Sequence, residues 1–412
     1  MSCWSILQIR ITITLRSTPL TLGVALIPAL LAVGAVGSIA AEFRPLPTPM
    51  STLTAPADPT HFSFVVTGDN RSTGHGYPMP LCFTQICTEI GYVHPQFVLW
   101  TGDVIEGYGD TAAEANAEYD VFLKGVALTG VPVFNAPGNH EFSLDAANLL
   151  PVYKKRMGDL YGSFDYGNSH FVALNTNAIN ADGSVTAGSL DADQWTWLEN
   201  DLKSTTATNV FVYMHHYPFG PADPDTPTVT SGWKSDAERD RFHAMMVQYK
   251  VRAVFAGHNH IYWHQAKDGV DYYISGGAGA PLDAAPDQGG FLHYMVVHVD
   301  GDKISADILQ PWHLAITYPN GDGKRKSTET AWVENTNNPD VAVGAVVFHV
   351  KAPKSGTLSA SAVIAGYKGK PAKPVVASIV SQTPSKDGKS VTVVVAVKAA
   401  SARTTEVTVA PK

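Results

Sequence analysis

The chain has 412 residues, 45% of them hydrophobic and 16% charged, and a formal net charge of −8. That length suits one large domain with an appendage, or two domains, and that balance excludes a disordered chain or a bundle of membrane helices. The charge is uneven: residues 41–330 carry about −16, because residues 1–40 contribute +2 and residues 331–412 contribute +6. An acidic main region lacks the basic footprint of nonspecific nucleic-acid binding, so no nucleic-acid partner is expected.

Residues 1–40 read as a targeting segment. Arg10 and Arg16 precede an uncharged run from Leu20 to Ile39, and Ser38-Ile39-Ala40 offers the small residues that a signal peptidase prefers. The run also has the length of a membrane span, so an uncleaved N-terminal anchor is the competing expectation. Either way the rest of the chain is expected to be exported, periplasmic or extracellular. Cys3 goes with this segment, and Cys82 and Cys87 could close a small disulfide loop in an oxidising compartment. Residues 41–60 are rich in Pro, Thr and Ala and read as an extended linker.

From His61 onward, short apolar runs end one after another in polar, glycine-containing turns. They are Phe62–Thr67, Phe97–Trp100, Val131–Asn135, Phe171–Leu174, Val210–Met214, Ala253–Ala256 and Tyr272–Ser275. Runs so uniformly apolar are expected to be strands buried on both faces. Helical patterns fall between several of them, over Ala112 to Leu128 and after a capping-box-like Asp191-Ala-Asp-Gln194. Alternating strands and helices predict an α/β domain over residues 61–330. The character then changes. Val- and Thr-rich runs at Val343–Val350, Val391–Val397 and Thr405–Val409 predict a small β-rich module over residues 331–412.

Polar motifs follow the C-terminal ends of these strands, where open α/β sheets place their sites. In chain order they are Gly68-Asp69-Asn70-Arg71, Gly102-Asp103, Gly138-Asn139-His140-Glu141, His215-His216 and Gly257-His258-Asn259-His260. Singly each is weak, since Gly-Asp is a common turn and a lone His usually packs. Together, each behind its own strand, they point to a metal site. Carboxylate, amide and imidazole without thiolate suit Fe, Mn or Zn with open positions for water or substrate.

The five blocks along residues 64–260 resemble the calcineurin-like metallophosphoesterase superfamily, which includes purple acid phosphatases and cyclic-nucleotide phosphodiesterases; GNHE followed by GHNH is its most specific part. The resemblance implies a metallophosphoesterase-type α/β fold, a two-sheet β-sandwich flanked by helices. It also implies two divalent or trivalent metal ions. Asp103 would bridge them, Asn139, His215 and His258 would hold one, and Asp69 and His260 the other. His140 would be the catalytic histidine beside the leaving-group oxygen. His215 is preferred to His216 because the family's ligand is the first His after the strand. Physically, two cations about 3.5–4 Å apart lower the pKa of a shared water and neutralise charge on a transferring phosphoryl group.

One block departs from the family. Its usual Asp-x-His becomes Asp69-Asn70-Arg71, and a guanidinium has no lone pair to give a metal. Glu106 or His75 could fill the vacancy, while Arg71 could grip phosphate oxygens or pair with Glu106. Purple acid phosphatases carry a Tyr where Glu106 stands. Glu141 could orient a neighbour. Tyr77, Tyr108, Phe142, Tyr217, Phe219 and Trp263 read as core before pocket wall, and His94, His170, His243, His264, His293, His298 and His349 as structural. The expectation is therefore an exported metal-dependent phosphoesterase acting on small phosphorylated molecules, as monoesters or diesters. The alternatives are a purple-acid-phosphatase-like acid phosphatase, or a binding protein with a degenerate metal site.

Overall fold

The computed structural model describes residues 43–49, 51–222, 230–311, 314–319, 326–335, 344–354, 356–364, 373–398 and 404–412. The expected targeting segment, residues 1–40, lies outside the described residues. In chain order the main domain begins β1 (His61–Thr67), α1 (Leu81–Val93), β2 (Val98–Trp100), α2 (Ala112–Val126), β3 (Val133–Asn135) and α3 (Ala146–Arg156). It continues with β4 (Gly162–Tyr166), β5 (Ser169–Ala173), the small pair β6 (Asn177–Ile179) and β7 (Val185–Ala187), and α4 (Ala192–Ser204). Then come β8 (Asn209–His216), α5 (Asp236–Gln248), β9 (Ala253–Gly257), β10 (Tyr262–Lys267), β11 (Val270–Ser275), β12 (Tyr294–Asp300) and β13 (Lys303–Leu309).

Two sheets stack face to face, one in the order β13-β12-β1-β2-β3 and the other β10-β11-β9-β8-β5-β4. Strand alternation explains the layers. On β1, Phe62, Phe64 and Val66 enter the core between the sheets, while Val65 faces the helices. On β8, Phe211 and Tyr213 point inward, and Val210, Val212 and Met214 pack under α4 and α5. The inter-sheet core is aromatic: the Phe64 ring centroid lies within 6.0 Å of those of Phe97, Phe171, Phe211 and Phe255. All seven expected strands are present, and apart from half-buried residues such as Ser63 on β1 and Tyr273 on β11 they are buried on both faces. Four more complete the sheets, and β12 among them pairs antiparallel with the central β1.

β1, β2 and β3 run parallel in one sheet, as do β5, β8, β9 and β11 in the other. That common direction gathers the motif-bearing ends. Helix α2 starts at a true capping box, Thr111 with Glu114. At α4 only half of one forms. Asp191 caps the Gln194 N–H, but the Gln194 side chain turns away to both backbone groups of Asn175. Cys82 and Cys87 are free thiols on α1. Five helical residues turn them about 140° apart, which explains why the expected small disulfide loop is absent. Nor is the start of the chain's described part a free linker. Phe43 and Leu46 are buried, with backbone N–H groups donating to Ser163 and Val133 carbonyls at the sheet edge.

The remaining strands are β14 (Leu314–Thr317), β15 (Glu329–Asn335), β16 (Gly344–Lys351), β17 (Leu358–Ile364), β18 (Lys373–Val375), β19 (Ala377–Pro384), β20 (Ser390–Val397) and β21 (Thr404–Pro411). They form a second sandwich, β14-β15-β21-β17-β18 over β16-β20-β19. This sheet takes in residues from 314, ahead of the boundary expected at 330. Val393, Val395 and Val397 of β20 fill its core, while Val394 and Ala396 join the cluster around α1. No described helix is long and apolar enough to cross a membrane.

Candidate metal centre

The five motifs meet at one end of the two-sheet sandwich, on loops forced into unusual backbone. Asp69, Asp103 and His258 all have positive φ (61°, 52° and 72°). Such a conformation costs a non-glycine residue of order 1–3 kcal/mol, and it turns each side chain across the strand ends. Neighbouring glycines permit the close approach. A Cβ on Gly257 would stand 2.2 Å from Asp69 Oδ2, and Gly102, at φ 93°, passes the backbone of Gly138.

Three lone pairs converge on the first position. His215 Nδ1 donates to the Thr101 carbonyl (2.8 Å), which leaves Nε2 as the unprotonated nitrogen. The Asn139 Nδ2 amide donates to Tyr108 Oη (2.6 Å), which turns Oδ1 inward. Asn139 Oδ1 then lies 2.9 Å from both His215 Nε2 and His258 Nδ1, themselves 3.1 Å apart. Asp103 Oδ1 completes the group, 3.3 Å from His215 Nε2. Burial lowers the pKa of His215 to about 3 and lowers that of His258, so both are held neutral. Neutral imidazoles and an amide oxygen pointing at one another are satisfied by a shared cation.

Asp69 defines the second position. Its carboxylate is fully buried, Oδ1 accepts the His258 N–H (2.9 Å), and Oδ2 has no partner. His260 Nδ1 is tied to the Pro281 carbonyl, and its Nε2 faces Asp69 Oδ1 at 3.6 Å. Burial and the adjacent Asp103 raise the Asp69 pKa well above the carboxylate range. Two carboxylates shut away together have only the Arg71 guanidinium beside them for positive charge, so this donor set fits cations. Arg71 stands at the edge, 17% exposed. Its Nη1 lies 3.0 Å from Glu106 Oε2 and its Nε 3.6 Å from Asp103 Oδ2. Glu106 therefore faces Arg71. His75 pairs with Asp110 (2.7 Å) in a separate cluster with Glu114.

His140 lies across Asp103 from these groups. Its Nδ1 is anchored on the Glu106 carbonyl and its Nε2 stands 3.9 Å from Asp103 Oδ2. Burial lowers its pKa. Glu141, fully buried, accepts the N–H groups of Asp103, Val104 and Gly138 and so ties the β2 and β3 loops together. Among the aromatics, Phe142, Tyr217 and Phe219 are core. Tyr108 is not: its ring stacks on His140 with centroids 3.9 Å apart while its hydroxyl fixes Asn139. No motif spacing marks Tyr108, and none marks Asp283, whose Oδ2 accepts the His260 N–H (2.7 Å). His216 is also close, within 4.8 Å of His215 and His258 by its ligand atom, with Nδ1 on Thr176 Oγ1 (2.8 Å). His170, His243, His264 and His298 pair with aspartates elsewhere.

Comparison with known proteins gives the family. Residues 62–262 match the model of the calcineurin-like phosphoesterase family. The chain contains a calcineurin-like phosphoesterase domain. The domain is 28% identical over 175 residues to a probable glycerophosphodiester phosphodiesterase, GpdQ, from Arcobacter nitrofigilis, covering 40% of this chain and 57% of that one. The chain thus spans little more than half of that relative. It is 22% identical over 194 residues to a probable cyclic nucleotide phosphodiesterase from Vesicomyosocius okutanii, covering 47% and 74%. Among solved structures, PhoD is similar at 17% identity and a TM-score of 0.49, over 70% of this chain and 72% of that one. A dimetal phosphatase from Danio rerio is similar at 16% identity and a TM-score of 0.45, over 61% and 96%. The matched residues end at the start of β10, and the C-terminal sandwich lies outside them.

Proposed function

We propose that this chain is an exported, metal-dependent phosphodiesterase that hydrolyses a small organic phosphodiester. The convergence of Asn139 Oδ1, His215 Nε2 and His258 Nδ1 within 3.1 Å of one another, beside Asp103, carries the reading. Those residues would hold one ion of the Fe, Mn or Zn class, and Asp69 and His260 the second, with Asp103 shared. When bound, such a pair supplies an activated water and positive charge for the phosphoryl oxygens. The chain's own groups do the rest. Arg71, held by Glu106 at the rim, presents its guanidinium to a non-bridging phosphate oxygen. His140, with Nδ1 anchored on the Glu106 carbonyl, offers Nε2 to the departing oxygen and moves a proton there.

A diester is favoured because both curated relatives are named phosphodiesterases. A cavity of about 780 Å³ beside the His260 loop supports it, with room for an organic alcohol. Tyr262, Trp263, Phe291, Asn259, Asp283 and Asp287 line it, and among the described residues no lysine or arginine does. Such walls suit an uncharged or cationic leaving group and repel a second phosphate. Glu106, engaged with Arg71, speaks against the purple-acid-phosphatase-like alternative. Export rests on the composition of residues 1–40. The test is hydrolysis of bis(p-nitrophenyl) phosphate and p-nitrophenyl phosphate by protein reconstituted with Mn, Zn or Fe. The diester is expected to turn over faster. Absence of turnover with either ester, at full metal content, would leave a binding protein instead.

A further inference from the structure

Helix α2 begins at a group of acids outside the site described above. Asp110 immediately precedes Thr111, the N-cap of α2, and Glu114 and Glu118 lie four residues apart on the helix's first turns and share one face. His75 reaches that face from the loop after β1. His75 Nδ1 lies 2.7 Å from Asp110 Oδ1, and one ligand atom each of His75, Asp110 and Glu114 falls within 4.8 Å of the others. Donors bonded to one ion at about 2.0–2.2 Å stand roughly 3–4.4 Å apart, so this spread is close to a single coordination sphere.

Acids at a helix start are common and by themselves mark nothing. Here Asp110 adds a separate observation. Its side chain is 1% exposed, and its Oδ2, buried, has no hydrogen-bond partner. A carboxylate oxygen left bare in such a place calls for a cation. Among the described residues, no lysine or arginine supplies one: the hollow of about 340 Å³ at this point is lined by His75, Asp110, Glu114 and Glu118, with Gly76, Tyr77, Pro78 and Ala117. Glu118 feels the same deficit, since burial and the charges of Asp110 and Glu106 push its carboxyl up to about 7.

We propose that His75, Asp110 and Glu114 form a third metal site, separate from the dinuclear centre, for one divalent ion of the Zn or Mn class. One imidazole with two carboxylates suits those ions, whereas Ca and Mg prefer all-oxygen shells. The His75–Asp110 contact is a hydrogen bond when His75 Nδ1 carries a proton, and a ligand–ligand edge when an ion sits there. The ion fastens the 102–110 loop to the start of α2. That loop carries Asp103, Glu106 and Tyr108, and Glu118 already holds it through the Glu106 N–H (2.7 Å). The site is thus a brace for the loop. It does not depend on what the dinuclear centre catalyses.

The experiment counts zinc per chain by mass spectrometry after dialysis of the full chain against Zn²⁺, alongside thermal melting with and without Zn²⁺. His75→Ala removes a half-exposed side chain (49%), and Glu114→Gln keeps the capping box with Thr111. Each is expected to lower the count by about one ion, in the wild-type chain and again in a His215→Ala/His258→Ala background. Each should also shrink the Zn²⁺-dependent rise in Tm, while melting in chelator stays near that of the parent. A zinc count and Tm rise that neither substitution changes, in either background, would overturn the site and leave a protonated His75–Asp110 pair.

Discussion

The two halves of the proposed dinuclear centre are built on different principles. Around Asn139, His215 and His258, neutral donor atoms crowd within 3.1 Å of one another. Around Asp69 and His260, a buried carboxylate faces one imidazole, and the position where the family carries another histidine holds the cation Arg71. The first half is incomplete without a metal. The second already has part of its charge balanced by the protein, because Arg71 approaches Asp103 as well as Glu106. If the fixed guanidinium stands in for a ligand, weaker affinity for the second ion and a hold on substrate phosphate are the expected consequences.

The sharpest way to break this comparison is to remove one imidazole from each half. His258→Ala is expected to lower kcat/KM by about 10³-fold, since a metal contributes several kcal/mol to the transition state. His260→Ala should cost less, about tenfold, because its half depends less on a tightly held ion. Metal content and kcat/KM measured on both variants decide the matter; equal losses would mean that the halves are equivalent.

Arg71→Ala tests the second half more finely. If the guanidinium serves phosphate, KM for the diester should rise about tenfold, near 1.4 kcal/mol, with metal content unchanged. Lost metal with an unchanged KM would instead make Arg71 a support for Asp103 and Glu106.

Which parts of this were readable beforehand follows from how local each signal is. β1 announces itself through Phe62, Phe64 and Val66, because a strand buried on both faces writes its position into its own residues. The same holds for the motif at its end, where Asp69 follows one strand directly. β12 and β13, absent from the expected strands, form a local hairpin, but β12 enters the sheet by pairing with β1, a distant partnership that its own pattern does not specify. The disulfide failed for a local reason, since a helix over residues 81–93 separates two thiols that a loop would have brought together. Gln194 is a similar case: the capping spacing is present, but the Asn175 backbone competes for the side chain and takes it. Tyr108 was the hardest to read. Its role lies in contacts with Asn139 and His140, whose loop follows a different strand.

That residue supplies the smallest effect and the finest test. Tyr108 Oη takes the Asn139 amide proton at 2.6 Å, and this bond is what directs Oδ1 toward His215 and His258. Partners of this kind, one bond removed from a ligand, typically change metal affinity or activity by 10–100-fold. Tyr108→Phe keeps the ring that stacks on His140 and deletes only the hydroxyl. The first half of the centre should then lose about tenfold in metal affinity, and kcat at saturating metal should stay near wild type. Tyr108→Ala removes the stacked ring as well, and kcat should fall even when metal is saturating. If the two variants behave alike, the hydroxyl does not set the amide, and the order in the first half comes from the buried histidines alone.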